Sequence, residues 1–148
     1  MNGLSGRIEA GEHLFPVRIY YEDTDAAGLV YHANYLKYAK RARTEMLRLV
    51  GINQSEFAAR HGITFSLREC TLDYRRPARL DDLVEVRSRL IDLRAATVHA
   101  EQVIACHNSE LARIRARVAC VRSDGRPARV PSSLRDALAP YFQRKGQV

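Results

Sequence analysis

The 148-residue sequence predicts an α+β fold, and three observations carry that expectation. A long run of helix formers occupies about Asn34 to Val50. From Ile63 to Arg122, apolar and polar residues alternate with the period of strands. The separators inside that stretch, Asp92 to Ala96 and His107 to Glu110, are short enough for hairpins, so the strands run antiparallel.

Taken in order, Phe15, Val17, Ile19 and Tyr21 predict a strand over 15–21, and Glu22 to Asn34 reads as a structured loop. The helix that follows takes Asn34 as its N-cap and Gly51 as its stop. At ~1.5 Å per residue it is about 25 Å long. Its apolar residues (Leu36, Ala39, Ala42, Met46, Leu47, Leu49, Val50) cover more than one narrow stripe, which predicts a helix gripped on several sides. A short helix is expected from Ser55 to His61, closed by Gly62. Ile63, Phe65 and Leu67 then alternate, and Cys70, Leu72 and Tyr74 continue one residue out of step. A slip of one turns the face over, so a bulge is expected near Arg68 and Glu69. Val84, Val86, Ser88 and Leu90 share a face, as do Val98, Ala100, Gln102, Ile104 and Cys106. Ile114, Ala116, Val118 and Cys120 complete the sheet, with Arg113, Arg115 and Arg117 on the opposite face. Ser132 or Ser133 caps a last helix ending near Phe142.

Composition narrows the function classes. Apolar residues make up 46% and charged residues 28%, which is globular rather than disordered. The net charge is +7, nearly all from Arg, with Lys only at 37, 40 and 145. The arginines are spread rather than clustered and Trp is absent, so no nucleic-acid partner is expected. Cys70, Cys106 and Cys120 show no CxxC spacing and sit on strand-like stretches, which reads as buried small hydrophobes in a reducing compartment. No apolar run approaches the ~20 residues of a membrane span, and Met1 to Glu12 lacks a signal-peptide core. Cytoplasmic localisation is the expectation.

The sequence contains no GxxxxGKS/T, no GxGxxG and no GxSxG. Its five His are scattered, with no i,i+4 pair, so no metal is expected. The densest polar cluster is the loop Tyr21 to Tyr35, with Glu22, Asp23 and Asp25 ahead of Ala26-Ala27-Gly28 and the long helix. A helix N-terminus presents unpaired N–H groups and partial positive charge, which suit a carbonyl or an oxyanion. A carboxylate on the incoming loop is then placed to act as base or nucleophile. Acidic residues also favour turns and helix starts for structural reasons alone.

The run YYEDTDAAGLVYHANYLKYAKRARTEML, Tyr20 to Leu47, resembles the signature of the 4-hydroxybenzoyl-CoA thioesterase-like hotdog superfamily, and within it the Tol–Pal-system-associated acyl-CoA thioesterases. DYRRPARLDDLVEV, Asp73 to Val86, is similar to a second segment of that family. The resemblance implies a hotdog fold, a curved antiparallel sheet wrapped around one long central helix. It implies one domain over 1–148, with its core at about 15–123 and the last helix at about 132–142. It implies an enzyme hydrolysing acyl-CoA to free acid and CoA, with no cofactor. The active carboxylate would be Asp25, the second Asp of the D-x-D-x-x-G run, and the carbonyl-polarising backbone N–H would be that of His32. Asp23 would organise the loop and Glu22 would be exposed. Tyr31 and Asn34 would contact substrate. Arg94 at the 92–96 turn would hold the CoA phosphates, with Arg75 and Arg76 as weaker choices. Glu45, on the helix that supplies a carboxylate in a related clade, reads as a partner of Arg41 or Arg48. The resemblance also implies edge-to-edge dimers often paired into tetramers, with sites between subunits, and peripheral association with the inner membrane or Tol–Pal machinery. Arg113, Arg115 and Arg117 are expected to face solvent or to be matched by acids. Two alternatives stand beside this reading. One is a hotdog dehydratase or hydratase with His32 as base and Glu45 assisting, whose motifs are missing here. The other is a non-catalytic acyl-CoA-binding module.

Overall fold

A computed structural model describes residues 3–142. Strands β1 (Arg7–Glu9) and β2 (Glu12–Arg18) lead through a 3-10 turn (Tyr21–Asp23) into α1 (Asn34–Leu49) and α2 (Gln54–His61). Four long strands follow: β3 (Ile63–Tyr74), β4 (Leu83–Leu93), β5 (Thr97–Cys106) and β6 (Ser109–Arg122). A short helix, α3 (Ser132–Leu138), and a 3-10 turn (Ala139–Tyr141) close the described chain. The strands form one six-stranded sheet in the order β1-β2-β4-β5-β6-β3, every neighbouring pair antiparallel.

The α+β and antiparallel expectations hold; β4, β5 and β6 follow one another as hairpins, whereas β3 crosses to the far edge and pairs with β6. The phase slip in β3 is a bulge at Arg68, where the register with β6 shifts between Leu67 and Glu69. Gly62 ends α2 in the left-handed region, φ 65, and Asn53 caps its start by accepting from the N–H groups of Ser55 and Glu56.

Four expectations are corrected. The first strand is Glu12–Arg18 rather than 15–21: the inward phase of His13, Phe15 and Val17 starts earlier, and Tyr21 belongs to a 3-10 turn. A short β1, which the pattern of only three residues did not reveal, precedes it across the turn Ala10-Gly11, φ 52 and 80. Asn34 is not the cap of α1. Ala33 stands there, and Asn34 is the first helical residue, its amide donating to the Asp23 carbonyl instead of accepting from the helix. Within this chain α1 is held on one stripe, Tyr35, Tyr38, Ala39, Ala42 and Met46, while Leu36 and Leu49 stay exposed at 39% and 42%. Neither Ser132 nor Ser133 caps α3; Pro131 precedes it, and Pro140 stops α-helical continuation so that the last turn is 3-10.

The stripe on α1 packs on Val17, Val84, Val86, Ile104 and Ile114 of the inner sheet face. A second core joins Met46 to Phe57 of α2, Leu90, Cys120, and Leu134 and Leu138 of α3. Cys120 is fully buried and Cys70 and Cys106 are half-buried free thiols. Burial raises all three thiol pKa values, that of Cys120 to about 11. On the outer face, Glu101 is buried among arginines. It accepts from Arg89, Arg113 (3.1 Å) and Arg115 (3.1 Å), and Arg117 approaches Glu69 at 3.8 Å. The row of arginines on β6 is thus matched by acids, as expected.

Candidate active site

The loop between the 3-10 turn and α1 is closed on itself by Asp25. The Asp25 N–H donates to the Leu29 carbonyl (2.8 Å) and the Gly28 N–H to the Asp25 carbonyl (3.0 Å). Asp25 Oδ1 accepts from the N–H groups of Ala27 (2.9 Å) and Leu29 (3.2 Å). This tight return places Gly28 at φ 77, where a side chain would be strained. Oδ2 has no hydrogen-bond partner among the described residues, and the side chain is exposed. One carboxylate oxygen builds the loop and the other is open.

The loop is fastened to the segment ahead of β4. The Val30 N–H donates to the Ala78 carbonyl (2.9 Å), the Leu80 N–H to the Gly28 carbonyl (3.3 Å), and the Ala78 N–H to the Tyr35 hydroxyl (2.9 Å). Asp23 organises the other side, as expected. Its Oδ2 accepts from the Tyr20 N–H (2.7 Å), and its carbonyl accepts from the Tyr31 N–H (3.0 Å) and Asn34 Nδ2 (2.8 Å). Burial, and after it the Asp23 carboxylate, pushes the Tyr38 phenol well above the usual tyrosine range. Glu22 is exposed.

His32 lies two residues before α1, and its N–H has no partner among the described residues. Its carbonyl accepts from the Tyr74 hydroxyl (2.8 Å), and its ring stands between Tyr31, centroids 4.5 Å apart, and the edge of Tyr74. The peptide carrying the free donor is held by its own carbonyl, that of Tyr31, which accepts from the Asn34 N–H (2.9 Å), while Tyr74 fixes the next peptide, at the positive end of the α1 dipole. Tyr31 is half exposed beside it. Asn34 is buried, and its Nδ2 is committed to the Asp23 carbonyl.

The remaining candidates fall elsewhere. Arg94 is exposed at the β4–β5 hairpin, paired with Asp92 (2.8 Å). The Asp25 loop is fastened at the start of β4, so the whole strand separates the two, on the order of 30 Å of chain. Arg75 is nearer the loop in sequence but paired with Asp73 (3.2 Å) and Glu110 (3.1 Å), and Arg76 reaches Ser109 at 3.5 Å. Glu45 is held by Arg48 (3.1 Å) and by the Ser5 hydroxyl (3.1 Å), which settles its helical partner as Arg48 rather than Arg41. Among the described residues no three His, Cys, Asp or Glu converge as a metal site would need, and no helix is long and apolar enough to cross a membrane.

A cavity of about 500 Å³ opens between α1 and the inner sheet face, with walls that include Met46, Phe65, Leu90 and Val98. One wall is polar. Arg43 Nη1 donates to Gln102 Oε1 (2.8 Å), and Gln102 Nε2 donates to the Ala39 carbonyl (2.8 Å) and the Ser88 hydroxyl (3.0 Å). Sequence reasoning singled out neither Arg43 nor Gln102 as functional. The available signal was Gln102 itself, a polar residue in the inward phase of β5 between Ala100 and Ile104.

Known proteins share this architecture. The sequence profile of the Thioesterase-like superfamily matches residues 20–138. The acyl-CoA thioesterase YbgC of Haemophilus influenzae is 41% identical over 107 residues, 72% of this chain and 79% of that one. The acyl-CoA thioester hydrolase YbgC of Escherichia coli O157:H7 is 41% identical over 108 residues, 72% of this chain and 80% of that one. Among solved structures, a probable thioesterase from Bartonella henselae superposes with a TM-score of 0.77 at 34% identity, covering 81% of this chain and 99% of that one. A hypothetical protein from Thermus thermophilus superposes with a TM-score of 0.82 at 30% identity, covering 90% and 99%.

Proposed function

This chain belongs to the thioesterase-like hotdog superfamily, and from that premise we propose that it hydrolyses acyl-CoA to free acid and CoA, with Asp25 as the reacting carboxylate. The observation that carries the reading is the half-open Asp25. Its Oδ1 is fixed by two backbone N–H groups while Oδ2 stays free, on the loop that also presents the unpartnered N–H of His32. The His32 N–H and the α1 dipole stabilise negative charge developing on the thioester oxygen. Oδ2 of Asp25 either takes a proton from an attacking water or itself bonds to the carbonyl carbon, giving a mixed anhydride that water then opens. In both routes the carbon–sulfur bond breaks and CoA leaves as thiolate, to be protonated by solvent. The half-exposed ring of Tyr31 and Oδ1 of Asn34 flank the reacting group. Release of free thiol from a panel of acyl-CoA substrates tests the activity, and no release from any chain length would sink it. Single turnover in heavy-oxygen water separates the routes, since only the anhydride route can leave label in Asp25.

The geometry also favours a shared site. β3 is an edge strand of twelve residues whose free side needs a cover, and Arg94 lies at the far end of β4 from Asp25. Two chains joined along β3 form the dimer, further paired into tetramers, with Arg94 serving the CoA phosphates at a partner's Asp25. The enzyme works in the cytoplasm, associated peripherally with the inner membrane or Tol–Pal machinery. Light scattering at low micromolar concentration tests the assembly, and a fully active monomer would contradict it.

A further inference from the structure

Arg43 is a largely buried cation without an acid. No carboxylate lies within ion-pair distance of it among the described residues, and its bonded side-chain partner is the neutral Gln102. Glu101, buried on the outer face, by contrast meets three arginines, and Glu45 on α1 meets Arg48. An unpaired guanidinium in low dielectric is costly, and an anion arriving beside it recovers that cost. The direction of the Arg43 pKa agrees, for burial lowers it.

The position gives the cation a use. The fully buried side-chain atoms left without a partner among the described residues are His13 Nδ1 and the Tyr38 hydroxyl; the remaining nitrogens of Arg43 are not among them and stay accessible, and Arg43 lines the cavity. That cavity is otherwise mostly apolar, with Lys40 and Lys37 exposed on its rim about one and two helical turns back along α1. Gln102 ties the guanidinium level with Ala39, five residues into the helix and so about 8 Å along its axis from Asn34. A planar guanidinium with free N–H groups suits a carboxylate better than any neutral acceptor.

We propose that Arg43, held by Gln102, recognises an anionic group at the far end of the acyl chain, so that the preferred thioesters are those of short dicarboxylic acids. The proposal rests on the thioesterase reading above and adds the acyl class. Gln102 is a positioning residue, and Arg43 determines specificity.

The test is a pair of thioesters of equal length, adipyl-CoA and hexanoyl-CoA, followed by thiol release. Wild type is expected to favour adipyl-CoA at least about tenfold in kcat/KM, the value of one charge-assisted contact. Arg43→Met should lower that ratio at least about tenfold, and Arg43→Lys should keep part of it. Gln102→Glu supplies an internal carboxylate and should abolish the preference while keeping the side-chain size. Equal rates for the two thioesters in wild type, or a ratio that Arg43→Met leaves unchanged, would overturn the proposal. If neither thioester is cleaved, the panel of chain lengths decides the thioesterase reading, and calorimetry with monomethyl adipate against dimethyl adipate decides for Arg43. Tighter binding of the monoester that Arg43→Met removes supports the anion site; equal binding of the two rules it out.

Discussion

Glu101 and Asp25 are carboxylates of opposite design. Glu101 is buried at 3% exposure, and both of its oxygens are taken by cations that β4 and β6 bring to it. Asp25 is exposed, touches no cation within ion-pair distance among the described residues, and spends one oxygen on its own loop. A saturated carboxylate has nothing left to offer a substrate, so its contribution is to stability. A carboxylate that is positioned by one oxygen and open at the other is pre-organised for chemistry. The two sites also differ in what makes them: Glu101 needs side chains from three strands, whereas Asp25 needs only backbone.

The largest expected effect follows from that difference. Asp25→Asn keeps an Oδ1 acceptor for Ala27 and Leu29, so the loop and Tm should be preserved while kcat falls at least about 10²-fold. Asp23→Asn and Glu45→Gln, whose carboxylates are occupied by Tyr20 and by Arg48 with Ser5, should cost far less in kcat. Thiol release together with a thermal melt reads both quantities. An Asp25→Asn protein that melts early but turns over normally would invert the comparison.

Glu101→Gln should show the mirror image. It leaves Arg89, Arg113 and Arg115 without their shared acid, and because those arginines are part-exposed the loss should be about 2 kcal/mol rather than the full cost of a buried broken pair. Unfolding in urea measures it, with kcat expected to stay near wild type. The pH dependence sharpens the point. Burial pushes the Glu101 pKa up, but hydrogen bonds and charges from Arg89, Arg115 and Arg113 outweigh it and hold the carboxyl below the ordinary 4.5. A depressed carboxyl contributes its stability above 4.5 and loses it as pH falls through the folded-state value, so Glu101→Gln should flatten the acid limb there.

His13 provides a second acid-side loss at higher pH. Its ring is fully buried, with Nε2 donating to the Ser5 carbonyl (2.6 Å), and burial lowers its pKa from 6.5 despite that bond and the Glu45 charge. The unfolded chain then binds the proton first, so stability is present above 6.5 and falls as pH drops below it. His13→Gln should remove this slope, by urea unfolding between pH 7 and about 5, and leave the Glu101 limb in place.

The two carboxylates were not equally legible in the sequence. Asp25 stands in a continuous run whose spacing, D-x-D-x-x-G before a helix, describes a local loop, and local geometry is what spacing encodes. Glu101 acquires its role from Arg89, Arg113 and Arg115, twelve to fourteen residues away, through a register that the alternation implies only once the strand pairing is known. The same limit hid Arg43, which looks like one more charged helix residue until β5 delivers Gln102 beneath it. Asn34 misled for the converse reason. As an Asn before a helix it fits a cap, but Asp23 supplies a carbonyl that draws its amide outward from the helix end.

The smallest expected effect concerns Arg94, because its environment resembles neither carboxylate site. Its guanidinium is 68% exposed and already meets Asp92, whose carboxyl it holds below the usual range by a hydrogen bond. An exposed pair of this kind is weak and screened by salt, so transferring Arg94 from Asp92 to a CoA phosphate gains little. Arg94→Glu should therefore raise KM for acyl-CoA only about threefold at low salt, with kcat unchanged, and the difference should fade as salt rises past the point where the Debye length is ~8 Å. Steady-state kinetics at two ionic strengths reads this directly. Because Arg94 and Asp25 lie at opposite ends of β4, the same variant also probes the assembly. In mixtures of Asp25→Asn and Arg94→Glu chains, a shared site gathers both changes at one interface and leaves the other intact in each mixed dimer, so KM should return to the wild-type value. If each chain used its own Arg94, the surviving Asp25 would always sit with the altered residue and KM would stay raised.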